Sequence, residues 1–239
     1  MKKIFFFSLI VLIASCKKEN SSNQNLPDQT LSDVSYSTDA SQKMDVYLPA
    51  GRNTDSTRLM ILVHGGAWIS GDKSDFASFI PVIQQKFPGY AIANINYRLG
   101  FDTSAGQKDI AIIMACYRAT QDASSALRYL MHHAKIYHID TTAVFLSGES
   151  AGGVTSLAEA YMSQQQWDAL FPMIHQSLGA IKESGNELNA SYQLKGIISM
   201  WGGILDTALI SSNISKQIPV ALIQSQSDEV IPYQHSKHK

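Results

Sequence analysis

Cysteine is almost absent from this chain: Cys16 and Cys116 are the two present in 239 residues. That number excludes a disulfide-stapled scaffold. Cys116 sits in an Ala/Ile/Met-rich segment and reads as a small buried hydrophobe rather than a nucleophile. Charge is also scarce and balanced, with 16% charged residues, a formal net charge of −1 and no Lys/Arg stripe. A nucleic-acid partner therefore has no electrostatic basis. His132, His133, His138 and His175 share no metal-ligand spacing, so neither a metal nor any other cofactor is expected. There are no internal repeats. The apolar run Ile4 to Ile13 is too short to span a bilayer as a stable helix.

Apolar residues are plentiful, at 45% of 239, which suits one domain of the larger α/β kind with a well-buried core. The N-terminus stands apart. Met1-Lys2-Lys3 is a basic n-region, Ile4 to Ile13 an apolar h-region, and Ile13-Ala14-Ser15-Cys16 resembles the lipobox of bacterial lipoproteins. The expectation is a signal peptide over residues 1–15, lipidation at Cys16, a polar tether over 16–29 and a domain over 30–239. A lipid bilayer is then a partner, and the location is the cell envelope, on the periplasmic or surface face of a membrane. An ordinary secretory signal is the alternative.

Val34 to Thr38 and Lys43 to Leu48 read as an antiparallel pair joined by a polar turn. Leu59 to Val63 is an unbroken apolar run, as a strand covered on both faces requires. Apolar residues at helical spacing over Asp75 to Phe87 predict a helix with Pro81 in its first turn. Tyr90 to Ile95 is the next strand. A long helix follows over Asp109 to His133, with Arg118 and Asp122 expected to pair across one turn. Further strands are read at Ala143 to Leu146, Lys195 to Trp201 and Pro219 to Gln224. Alternating strands and helices imply a mostly parallel sheet with helices on both faces. The amphipathic stretch 164–192 is expected at the sheet edge away from the chemistry, and 202–217 at the edge that shapes a pocket.

The chemistry concentrates in Gly148-Glu149-Ser150-Ala151-Gly152, a G-x-S-x-G pattern placed where a strand ends and a helix begins. Such a turn lifts one serine hydroxyl above the sheet. Gly148 and Gly152 are read as positions where helix and strand backbones leave no room for a Cβ. Ala151 would present its N–H at the start of the helix, where the dipole favours an oxyanion.

With His64-Gly65-Gly66-Ala67-Trp68, Asn96-Tyr97-Arg98-Leu99 and Ser227-Asp228-Glu229-Val230-Ile231-Pro232 added, the chain resembles α/β-hydrolases of the carboxylesterase/lipase group with an HGG-type oxyanion loop. The resemblance implies Ser150 as nucleophile and the N–H groups of Gly66, Ala67 and Ala151 as the oxyanion hole. His64 and Gly65 support that loop, and His64 is not the base. Asp228 is implied as the acid, with Asp206 as its rival. In the family the base follows the acid by a helix and a further strand, whereas eleven residues follow Asp228 here. His235 and His238 fall in that short tail, and His235 is the candidate base. The expectation is thus a hydrolase fold whose C-terminal strand and helix are missing. The substrate implied is a small-molecule or carbohydrate-linked ester. A non-catalytic binding module on the same scaffold, or a serine peptidase, are the alternatives.

Overall fold

The computed structural model describes residues 25–101, 108–210 and 217–233. Cys16, His235 and His238 lie outside them, as does most of the N-terminal segment. Among the described residues a seven-stranded sheet runs β1 (Gln29–Ser35), β2 (Lys43–Leu48), β4 (Tyr90–Ile95), β3 (Arg58–Val63), β5 (Val144–Glu149), β6 (Leu194–Met200) and β7 (Val220–Ile223). β1 and β2 pair antiparallel, β2 lies antiparallel to β4, and the remaining pairs are parallel. The expected α/β fold with a mostly parallel sheet is the one observed.

Strand periodicity assigns the two faces. Leu59, Ile61 and Val63 of β3 point into the larger core, which also takes in Ala119, Leu127 and Leu157. These come from α2 (Lys108–His132) and, past the single-turn α3 (Ala134–Tyr137), from α4 (Ala151–Tyr161). Met60 and Leu62, one residue out of phase, pack with Phe76 and with Ile80 of α1 (Ile80–Lys86) on the other face. Pro81 sits in the first turn of α1 as expected, where its missing N–H costs nothing. The helix read over Asp75 to Phe87 is broken, however. Asp72 and Asp75 form a capping box that turns Lys73–Phe76 into a separate 3₁₀ turn. β1 begins at Gln29 rather than Val34, and residues 36–38 leave the sheet. Tyr36 turns inward there, its hydroxyl donating to the Asn96 carbonyl at 2.6 Å. Cys116 is fully enclosed, and burial pushes its thiol up to about 12, which suits an inert packing residue.

The Arg118–Asp122 pair expected within α2 does not form. Asp122 is on the buried side of the helix and is 0% exposed. Its Oδ1 accepts from Arg98 Nη2 at 2.7 Å and from Gln42 Nε2 at 2.7 Å, and its Oδ2 accepts the Arg98 N–H at 2.7 Å. A guanidinium and an N–H brought from the end of β4 outcompete a helical neighbour, because they satisfy a carboxylate that water cannot reach. Arg118 turns away and donates to the Gly100 carbonyl.

The segment 164–192 folds as α5 (Gln164–Leu170) and α6 (Pro172–Leu178), followed by an irregular stretch. Trp167, Ile174 and Ile181 are buried in the main core. It does not stay at the far edge as expected. Gln121 Nε2 of α2 donates to the Leu178 carbonyl at 2.8 Å, and Arg128 Nη2 donates to the Ser184 carbonyl at 2.6 Å. Asn186 Nδ2 reaches the Tyr36 carbonyl at 2.8 Å, just before β2 begins. Its middle is carried along the flank of α2 to the loop before β2, and its end returns to the start of β5, where the Gln193 N–H donates to the Thr141 carbonyl at 2.9 Å.

Removing the Asp122 carboxylate strands Arg98 and Gln42 together. Asp122→Ala is expected to cost about 3 kcal/mol, the lower end for breaking a buried pair because Arg98 is partly exposed. Urea unfolding of the variant measures it, and a loss below about 1 kcal/mol would contradict the pairing described.

Candidate active site

β5 ends at Glu149 and α4 begins at Ala151, so Ser150 alone makes the turn, with φ 50° and ψ −119°. A non-glycine residue in this conformation costs on the order of 1–3 kcal/mol and persists only where its surroundings enforce it. Here the Ser150 N–H donates to the Met200 carbonyl of β6 at 2.7 Å, and its carbonyl accepts from Val154 at 3.0 Å. A Cβ on Gly148 would overlap the Gly152 backbone, and one on Gly152 would overlap the Val63 carbonyl at the end of β3. Both glycines are therefore required by close approach, as the sequence implies.

The end of β3 brings in the second part. A Cβ on Gly65 would stand 3.1 Å from the Glu149 carbonyl oxygen and 3.3 Å from Ser150 Cβ, so this loop lies directly against the turn. Gly66, Ala67 and Trp68 follow with φ of 95°, 52° and 60°. Successive left-handed residues turn consecutive peptide N–H groups toward one side, the geometry that makes anion-binding concavities. Among the described residues, the N–H groups of Gly66, Ala67 and Ala151 donate to no acceptor. The loop is closed by Ile69 and Ser70, whose N–H groups bond the Gly66 carbonyl at 3.0 and 3.1 Å. Gly100 donates to the Trp68 carbonyl at 2.7 Å.

His64 is 0% exposed and stacks on Tyr97, ring centroids 4.3 Å apart. Its Nδ1 lies 2.8 Å from the Gly65 carbonyl, which also accepts from the Tyr97 hydroxyl at 3.1 Å. Burial holds the imidazole below its ordinary pKa, so it is neutral near neutral pH, with Nδ1 carrying the proton toward that carbonyl. This ring supports the loop and does not meet the serine. Trp68 supports it from the other side: its Nε1 donates to Thr155 Oγ1 at 3.0 Å, and that hydroxyl donates to the Ala151 carbonyl at 2.8 Å. The sequence reading passed over Thr155, which carries no motif and lies 87 residues from its partner. Tyr97 belongs to the Asn96-Tyr97-Arg98-Leu99 motif, which by itself assigns it no role.

Asp228 accepts the N–H groups of Val230 and Ile231 on Oδ1, each at 2.9 Å, and Gln224 Nε2 on Oδ2 at 3.2 Å. Its turn lies beside β6, since a Cβ on Gly203 would stand 3.4 Å from Ile231 Cγ2. Asp206 instead caps the 3₁₀ turn Thr207–Leu209, accepting the Ala208 N–H at 2.8 Å. No histidine among the described residues bonds to Ser150 or Asp228. His175 faces Asp168 at 3.2 Å within the α5–α6 segment, and His133 Nδ1 is engaged by the Tyr129 carbonyl at 2.8 Å. The candidate base His235 lies outside the described residues.

Beyond β6, residues 202–204, 210, 217–220 and 222 line an apolar cavity of about 520 Å³ against Leu157 and Tyr161 of α4. The described ends of the 202–217 segment line this cavity, which extends along the flank of α4; residues 211–216 lie outside the described residues.

The model of the BD-FAE family matches residues 44–215, which include the loop after β3, the end of β4 and the Ser150 turn. A kynurenine formamidase from Danio rerio is 29% identical over 126 residues, covering 52% of this chain and 36% of that protein. Among solved structures, esterase 2 of Thermogutta terrifontis with bound propionate superimposes with a TM-score of 0.58 at 16% identity, covering 88% of this chain and 76% of that one. A truncated carbohydrate esterase from gut microbiota gives 0.57 at 20% identity, covering 88% and 81%. Esterase B of Lactobacillus rhamnosis gives 0.52 at 22%, covering 75% and 49%. The chain thus spans about a third of the formamidase and half of the Lactobacillus enzyme. At these identities the structural likenesses establish the α/β-hydrolase fold.

Thr155→Val keeps the shape but leaves the buried Trp68 N–H without an acceptor. It is expected to cost about 1–3 kcal/mol, and Thr155→Ser, which keeps the hydroxyl, about 1 kcal/mol. Chemical denaturation separates the two variants; equal losses would remove the hydrogen bond as the cause.

Proposed function

The chain belongs to the BD-FAE family, and we propose that it is a serine ester hydrolase working through an acyl-enzyme on Ser150. The observation that carries this reading is the placement of Ser150 in an enforced strand-to-helix turn against Gly65, beside N–H groups with no other acceptor among the described residues. In this reading Ser150 Oγ attacks the ester carbonyl carbon while its proton passes to an imidazole. The carbonyl oxygen takes the negative charge and is held by the N–H groups of Gly66, Ala67 and Ala151. Each such donor contributes roughly 3 kcal/mol to the transition state in comparable sites. The C–O bond then breaks, the alcohol leaves with the proton, and water repeats the sequence to release the acid.

Asp228 is the proposed acid, supported by its turn, which lies against Gly203 just past the end of β6. Its partner is proposed as His235. No metal or cofactor has a part in these steps. The substrate is proposed to be a small-molecule or carbohydrate-linked ester, a class consistent with the carbohydrate esterase among the similar folds. Export as a lipoprotein anchored through Cys16 is proposed from the basic, apolar and small-residue sequence ahead of it.

Two experiments test this. The full chain is expected to hydrolyse p-nitrophenyl acetate and to be labelled at Ser150 by a fluorophosphonate, with kcat/KM about a thousandfold lower in Ser150→Ala. A folded protein that shows neither reaction is a binding module on a hydrolase scaffold, and the enzyme reading is then lost. For the anchor, Cys16→Ser is expected to abolish incorporation of an alkyne fatty acid during expression in a bacterial host. Undiminished labelling of that variant removes Cys16 as the lipid site.

A further inference from the structure

Each N–H group proposed for the oxyanion shares a peptide plane with a carbonyl that points the opposite way, since no described peptide bond is cis. Holding that carbonyl therefore sets the direction of the N–H. The Ser150 carbonyl, behind the Ala151 N–H, accepts from the Val154 N–H at 3.0 Å. The Gly66 carbonyl, behind the Ala67 N–H, accepts the N–H groups of Ile69 and Ser70 at 3.0 and 3.1 Å and the Ser70 hydroxyl at 3.2 Å. Backbone does most of the holding in both. The Gly65 carbonyl, behind the Gly66 N–H, is different. Among the described residues it accepts no backbone N–H, and its two donors are side chains. His64 Nδ1 lies 2.8 Å from it and the Tyr97 hydroxyl 3.1 Å.

Tyr97 is well placed to act as a fixed donor. The residues on either side of it are tied down, the Asn96 N–H to the Lys43 carbonyl at 2.8 Å and the Arg98 N–H to Asp122 at 2.7 Å. Its ring is 1% exposed and lies within 14° of parallel to the His64 imidazole. The hydroxyl meets the His64 carbonyl at 3.0 Å as well as that of Gly65, and burial pushes its pKa up, so it keeps its proton at any working pH. The Gly65 oxygen faces Gly71, where an added Cβ would fall 2.8 Å from it. The Gly66 N–H is thus turned away from the two rings, in a loop whose Gly65 lies against Ser150. A donor on a peptide oxygen also draws electron density from the N–H of the same peptide, which makes that N–H the stronger donor.

We propose that Tyr97 is a positioning residue for the oxyanion: its hydroxyl, acting through the Gly65 carbonyl, aims the Gly66 N–H and strengthens it. Tyr97 itself touches no substrate. This rests on the ester-hydrolase reading of Ser150 and adds to it the side chain that tunes one of the three donors.

Tyr97→Phe removes the hydroxyl and keeps the stacked ring. With p-nitrophenyl acetate, the full chain carrying this change is expected to lose about tenfold in kcat with KM little altered, less than the loss of a whole donor would cause. Its Tm is expected to fall by a few degrees only. Comparison with O-p-nitrophenyl thionoacetate separates positioning from a general loss of structure. Sulfur accepts hydrogen bonds poorly, so donors aimed at the oxyanion favour the oxygen ester over its sulfur counterpart. That preference in kcat/KM is expected to narrow by about the same tenfold in Tyr97→Phe. Placing 3-fluorotyrosine at position 97 keeps the shape and makes the hydroxyl a stronger donor, so it is expected to widen the preference. Equal losses on the two substrates, or an unchanged kcat in folded Tyr97→Phe, overturn the proposal. If Tyr97→Phe does not fold, the fluorotyrosine protein decides: a preference that stays the same or narrows overturns it. A parent chain that neither hydrolyses the ester nor is labelled at Ser150 by a fluorophosphonate removes the hydrolase reading and this inference together. An active parent whose position-97 variants keep the preference unchanged removes this inference alone.

Discussion

The backbones of β3, β5 and α4 approach one another so closely at Val63, Gly148 and Gly152 that no side-chain atom fits between them. This contact determines most of what lies above it. With α4 pressed against the ends of two strands, Ser150 has no regular conformation open to it and takes a positive φ. The residues after Val63 must pass directly over the turn, which puts Gly65 against Ser150 and sends Gly66 to Trp68 into left-handed geometry. Strain at these positions is offset by specific bonds, from the Met200 carbonyl under Ser150 to the Trp68–Thr155 link that ties the loop back to α4. The serine turn and the glycine-led loop facing it are thus two consequences of one close approach.

A second organising feature is electrostatic. Asp122 draws Arg98, and through Gln42 the loop before β2, onto the buried side of α2. That arrangement holds the end of β4 in place behind His64, where Tyr97 stacks on the imidazole and bonds the His64 and Gly65 carbonyls.

Much of the fold was legible in advance because its signals are local. The alternation of apolar strands with helical spacing predicts the parallel sheet, and β3 through β7 lie within a few residues of the runs that mark them. Failures came where side-chain hydrogen bonds overrode periodicity. The capping box at Asp72 and Asp75 split one apolar pattern into two elements, and the pull of Tyr36 toward Asn96 ended β1 early. The α5–α6 segment was misplaced because its position depends on α2, and periodicity says nothing about which surface an amphipathic stretch will cover.

By itself the sequence determined the class of fold, the serine turn and the loop facing it, because each is encoded by residues adjacent in the chain whose small size or apolar spacing has few other uses. Only the tertiary structure decided which partners those residues have. Arg98 finds Asp122 across 24 residues and Trp68 finds Thr155 across 87. Pairings of this kind depend on burial and on the order of strands in the sheet, which no local pattern records.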